Sequence, residues 1–183
     1  MKKFRVCMIL LFLCSAVAMA GETPTFELFG GYSYQRANEV NLSKGWNFSF
    51  AGHVARDLSI VGDVSGHYKS WTKGAGIGSR NFDVDSYFFL AGLQYAYHNS
   101  ESVTPFIRGL IGSSYSKMNV SGSVMMTDSS NNFAFGFGGG VDMKLTDSMA
   151  LRLFQADYIR RTGSTMNEGN VYRLSAGITF RAI

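Results

Sequence analysis

Phe133-Ala134-Phe135-Gly136-Phe137-Gly138-Gly139-Gly140-Val141-Asp142-Met143-Lys144-Leu145 alternates without a break. Phe133, Phe135, Phe137, Gly139, Val141, Met143 and Leu145 form one apolar set; Ala134, Gly136, Gly138, Gly140, Asp142 and Lys144 form a second that is small or charged. A period of two places the sets on opposite faces of a β-strand, whereas a helix would mix them. The Gly138-Gly139-Gly140 run is mid-strand with no helix after it, so it reads as close packing rather than as a phosphate-binding loop.

The same period recurs on both sides of this stretch. In Trp46–Val54 every even residue is apolar or Gly, and in Leu58–Tyr68 the even set Leu58, Ile60, Gly62, Val64, Gly66 and Tyr68 opposes Ser59, Val61, Asp63, Ser65 and His67. Segments 26–36, 86–97, 104–116 and 171–181 follow suit. Residues 149–160 fit only with a phase slip near Phe154 and Gln155, as a β-bulge supplies. Eight strands result. Tight turns at Ala55–Asp57, His98–Ser102 and Thr146–Ser148 alternate with longer polar stretches at Ala37–Lys44, Lys69–Asn81, Lys117–Asn131 and Arg161–Asn170. Short turns at one end and long loops at the other predict an all-β, eight-stranded antiparallel up-and-down transmembrane β-barrel.

The distribution of bulk decides which face meets the surroundings. A soluble barrel turns apolar residues inward, and a membrane barrel inverts this. Here the small residues share a face with the charges, as a narrow polar lumen requires, and the opposite face carries the bulk. Aromatics gather at both strand ends: Tyr32, Tyr34, Trp46, Tyr68, Tyr115, Phe133, Tyr158 and Tyr172 at the loop ends, and Phe26, Tyr95, Tyr97 and Phe180 at the turn ends. Two aromatic girdles mark the two membrane interfaces.

Residues 1–20 read as a cleaved signal peptide and 21–183 as the barrel domain. Lys2, Lys3 and Arg5 precede an apolar run from Val6 to Val17, and Ala18-Met19-Ala20 supplies a small-x-small cleavage pattern before Gly21. The run is too short to span a bilayer, which takes about 20 residues. Leu13 precedes Cys14 where a lipoprotein signal wants a small residue. Cys7 and Cys14 both fall in the leader, which leaves the mature chain no thiol for a disulfide, a nucleophile or a metal. Three of the 17 basic residues leave with it, against 13 acidic residues that stay. The near-neutral remainder removes any case for nucleic-acid binding.

Phe26–Tyr34, Val103–Phe106, Gly138–Leu145, Leu151–Tyr158 and Ser175–Phe180 resemble the bacterial outer-membrane β-barrel domain family, which is similar to the OmpA transmembrane domain. The resemblance implies an outer-membrane location, contact with outer-membrane lipid and lipopolysaccharide, and a monomer. Gly177-x-x-Phe180 resembles the C-terminal signal read by the barrel-assembly machinery, although here Arg181-Ala182-Ile183 follows it.

Parity assigns the candidate site, a luminal charge network. Asp63, Gln94, Arg108, Asp142 and Arg152 lie on successive strands near middle depth, Asp157 and Arg173 above them, and Glu27, Lys144 and Arg181 below. Buried charges need partners, and the expected central contact is Arg108 with Asp142, with Asp63 and Arg152 completing the network and Asp63 as the alternative partner of Arg108. An interior of eight strands is only just wide enough for side chains, which favours a plug over a pore.

Other candidates are weaker. Ser65 and His67 share a luminal face, where a lipid-modifying enzyme would need them toward lipid, and no acid completes a triad. His53 and His98 lack ligand spacing, so no metal or other cofactor is implied. The loop residues Trp71, Lys73, Met125 and Met126 match no recognition motif. The expected function is a structural or surface-interaction scaffold with a plugged polar lumen; the alternatives are a narrow ion or small-solute channel and, third, a lipid-modifying enzyme.

Overall fold

The computed structural model of the chain describes residues 26–37, 40–73, 80–97, 102–121, 126–163 and 169–182. These residues form nine strands: β1 (Phe26–Ala37), β2 (Val40–Leu42), β3 (Lys44–His53), β4 (Leu58–Lys73), β5 (Arg80–Ala96), β6 (Val103–Ser121), β7 (Met126–Thr146), β8 (Met149–Thr162) and β9 (Gly169–Ala182). Each neighbouring pair is antiparallel, and β1 also pairs with β9 from Phe26 opposite Ala182 to Ala37 opposite Val171. That last ladder closes the sheet. β2 and β3 are one stave with an offset at Ser43, both lying along β1, so the barrel has eight staves. Along the closed part of the barrel each stave is paired on both sides, the condition a sheet must meet in hydrocarbon; β2 and the outer ends of β4 and β7 are paired on one side.

Alternation sets the two faces. Phe133, Phe135 and Phe137 point outward, as do Phe89, Ile107 and Ile111 on the neighbouring staves, and Phe137 is 67% exposed. Such a band is stable only against an apolar medium. The phase slip falls at Leu153–Phe154: both point outward, and the register to β7 and to β9 shifts across them. The extra residue keeps Arg152 and Asp157, of opposite parity, both facing inward.

Two expectations need correction. The lumen is not purely polar: Phe29, Phe88, Leu90, Phe106 and Leu110 are buried inside it. Charged groups alone pack such an interior poorly, and flat guanidinium groups need surfaces to lie on. The long polar stretches are also largely strand. β4 runs to Lys73, β5 starts at Arg80, β6 runs to Ser121 and β7 starts at Met126. Beyond the membrane a strand needs no apolar face, so its polarity resembles that of a loop. Trp71 stacks on Phe82 at 5.3 Å and Thr72 hydrogen-bonds Asn81 at 2.8 Å, which holds the β4–β5 hairpin together out there. The turn expected at His98–Ser102 lies mostly outside the described residues, as do His98, Met125 and residues 1–20.

Candidate functional site

The charged lumen is built on one row of the sheet. Gln94 on β5 is opposite Arg108 on β6, Arg108 opposite Gly138 on β7, Gly138 opposite Asp157 on β8, and Asp157 opposite Arg173 on β9. Gly138 separates Arg108 from Asp157 by a full strand, yet it has no side chain to occupy the gap. Arg108 crosses it and grips Asp157 with both prongs, Nε to Oδ1 at 2.8 Å and Nη2 to Oδ2 at 2.7 Å. A Cβ on Gly138 would stand 2.1 Å from Asp157 Oδ1.

Arg173 and Asp63 complete this upper cluster. Arg173 Nη1 donates to Asp63 Oδ1 and to Ser65 Oγ, both at 2.7 Å, and Nε donates to Asp157 Oδ2 at 3.1 Å. Arg108 Nη1 lies 3.1 Å from Asp63 Oδ2, close enough to pair as charges although the contact is not an aligned hydrogen bond. Asn47 Nδ2 donates to Asp63 Oδ2 at 3.0 Å. Two arginines and two aspartates therefore share one buried site without net charge.

A second cluster lies toward the turn end. Arg152 holds Asp142 in a fork, Nε to Oδ1 at 2.7 Å and Nη2 to Oδ2 at 2.9 Å. Its plane is sandwiched by Phe29 and Phe106, with ring centres 4.5 and 4.3 Å from Cζ. Cation–π contacts of this kind strengthen as they are desolvated. Arg181 donates to Glu27 at 2.7 Å and approaches Asp142 to 3.7 Å. Gln155 joins the clusters: its Oε1 accepts from Arg152 at 2.7 Å and its Nε2 donates to Asp157 at 3.0 Å.

Several sequence expectations change here. Arg108 does not contact Asp142, which is opposite Thr104 and bound to Arg152. Parity gave the face correctly, but the depth of each residue follows from shear and from the bulge at Leu153–Phe154, which parity does not carry. Asp157 and Arg173 are in register with Arg108 through Gly138, and Asp157 bonds both arginines directly. Asp63 is a partner of Arg108, as the alternative had it. Gln94 is buried beside Arg108 in register but takes no part in the ion pairs. Lys144 leaves the set, since it is exposed and pairs with Asp147 in the β7–β8 turn at 2.7 Å. Asn47, Gln155, Phe29 and Phe106 were missed; the inward parity of each was the available signal.

Ser65 and His67 both point into the lumen and are buried. His67 Nε2 lies 2.9 Å from Ser33 Oγ, and Ser175 also bonds Ser33 at 2.9 Å, so His67 is engaged with Ser33 rather than Ser65.

A closed barrel, an outward apolar band and a charge-filled interior agree with the comparison to known families. The family model described as outer membrane protein beta-barrel domain matches residues 6–180. The chain belongs to this family. Its fold is similar to solved outer-membrane barrels: Ail, the attachment invasion locus protein of Yersinia pestis, crystallised with the heparin analogue sucrose octasulfate (16% identity, 85% of this chain and 95% of that one, TM-score 0.58), and Neisserial surface protein A (16% identity, 85% and 95%, TM-score 0.59). At such identity the likeness is one of fold. Among curated proteins, none matches. For an outer-membrane barrel the short turns are periplasmic and the long hairpins extracellular, so β4–β7 extend out of the cell surface.

Proposed function

We propose that this outer-membrane barrel is a structural and surface-interaction scaffold: a monomeric, plugged cylinder that holds extracellular strands in place. The observation that carries the reading is the pairing of four arginines, Arg108, Arg152, Arg173 and Arg181, with four carboxylates, Glu27, Asp63, Asp142 and Asp157, across the lumen. An open channel would keep such groups hydrated and free to exchange partners. Here Arg108 and Arg152 are held by forked contacts, Arg173 bridges Asp63 and Asp157, and the rings of Phe29 and Phe106 lie against Arg152.

What the plug leaves for function is the outer wall. A barrel strand crosses the membrane in about 9–11 residues, and β7 has 21 and β6 has 19. Ten spare residues at about 3.3 Å each, tilted as barrel strands are, carry the wall about 25 Å past the membrane. The test is to shorten the β4–β5 hairpin by removing residues 71–82 with a two-residue turn in their place. The scaffold reading expects the shortened protein to reach the outer membrane and to keep its heat-dependent migration on gels. Failure to assemble would make the wall part of the folding unit rather than cargo on it.

A further inference from the structure

The outward face near the extracellular end is unevenly charged. On four adjoining staves, β8, β9, β1 and β2–β3, the outward residues include Arg160, Arg36 and Lys44, all exposed. Their outward neighbours are Tyr158, Tyr172, Asn170 and Tyr34, and among the described residues no carboxylate points outward in this arc. On the other side of the barrel, outward Asp85 is directly opposite Lys117, and Asp83 shares its outward parity opposite Ser70 and Asn119, so carboxylates are present on that face.

The arc is also ordered. Arg36 lies opposite Tyr172, Tyr172 opposite Tyr158, and Arg160 opposite Asn170. The Tyr158 and Tyr172 rings are 5.4 Å apart, and the Tyr158 hydroxyl donates to Asn170 Oδ1 at 2.8 Å. Arginine on the lipid face of a barrel costs about 2–4 kcal/mol at the midplane and close to nothing at the interface. Tyrosines mark that interface, so the three cations sit at headgroup depth. Arg36 and Arg160 are two strands and one residue pair apart, about 12 Å between backbones by strand geometry. A headgroup with two phosphates held apart by a disaccharide matches that separation better than a single phosphodiester does.

We propose that this arc seats one bis-phosphorylated disaccharide lipid of the outer leaflet, of the lipid A type. Arg36 and Lys44 take one phosphate and Arg160 the other. The sugars lie over Tyr172 and Tyr158, and the acyl chains run down Leu174, Ile178 and Phe154. The assignment rests on the outer-membrane location and not on the scaffold function.

The test uses the protein purified from membranes and reconstituted in phosphatidylcholine nanodiscs. Native mass spectrometry titrates in bis-phosphoryl lipid A, monophosphoryl lipid A or phosphatidylglycerol at matched charge. Each basic residue near an anionic surface contributes about fivefold to binding. The R36Q/K44Q/R160Q variant is expected to lose at least tenfold for bis-phosphoryl lipid A, while K117Q stays at wild type. Monophosphoryl lipid A and phosphatidylglycerol are expected to bind wild type at least threefold more weakly. Heat-dependent gel migration reports folding. If the triple variant does not fold, the three single variants are read instead, each expected to lose severalfold, with R36K and R160K retaining binding. Binding of the triple variant, or of all three singles, within twofold of wild type would overturn the site. Equal affinity for phosphatidylglycerol would do so too, since it would reduce the arc to general attraction for anionic lipid.

Discussion

At Gly138 the lack of a side chain is what lets two charges meet. Arg108 and Asp157 are on β6 and β8 with Gly138 between them, and the forked contact passes through the space a Cβ would fill. Gly138→Ala should therefore destabilise the barrel by about 1–3 kcal/mol, the usual cost of overpacking, as read by urea unfolding in lipid vesicles. Gly109→Ala serves as the comparison: a Cβ there meets nothing within 4 Å, so its cost should stay within about 0.5 kcal/mol. Equal effects at the two glycines would mean that the gap at Gly138 is incidental. In the same assay Asp157→Ala should cost about 3–5 kcal/mol, less whatever luminal water recovers, because it strips Arg108 and Arg173 of a shared partner. A double-mutant cycle should give Arg108 and Asp157 a coupling at least about 1 kcal/mol above that of Arg108 and Asp142. The charges and their inward orientation were legible in the sequence. Their partners were not, because pairing depends on which residues share a row, and a single extra residue in β8 moves one side of that row relative to the other.

Among the elements, the membrane-crossing strands declare themselves and their extensions do not. Phe133–Leu145 alternates because lipid and lumen demand opposite side chains at every step. Lys69–Asn81 and Lys117–Asn131 lie mostly beyond that demand, so nothing in their polarity distinguishes strand from loop. The bulge was legible for the opposite reason, since Arg152 and Asp157 could not both face inward without it. Phe137→Arg tests the assignment of faces: it should impair insertion into vesicles by about 2–4 kcal/mol, while Asn131→Arg, outward on the same strand near the extracellular end, should cost little. Normal insertion of the Phe137 variant would mean that the outward band does not contact lipid.

For the molecule as a whole, the β1–β9 ladder and the ion-paired interior act together. Closure satisfies the backbone in lipid, and the clusters on either side of Gln155 tie staves together across the lumen, Arg173 on β9 to Asp63 on β4 among them; the proposed plug rests on these ties. Upper and lower clusters each hold two positive and two negative groups, so neither cluster carries a net charge to draw ions in. Single-channel recording of the purified protein in planar bilayers tests this account most directly. It predicts no steady conductance from the wild type, and openings from a variant with both Arg108→Ala and Arg173→Ala, which removes the crossing arms of the upper cluster. Steady, ohmic wild-type conductance that the double variant leaves unchanged would contradict it.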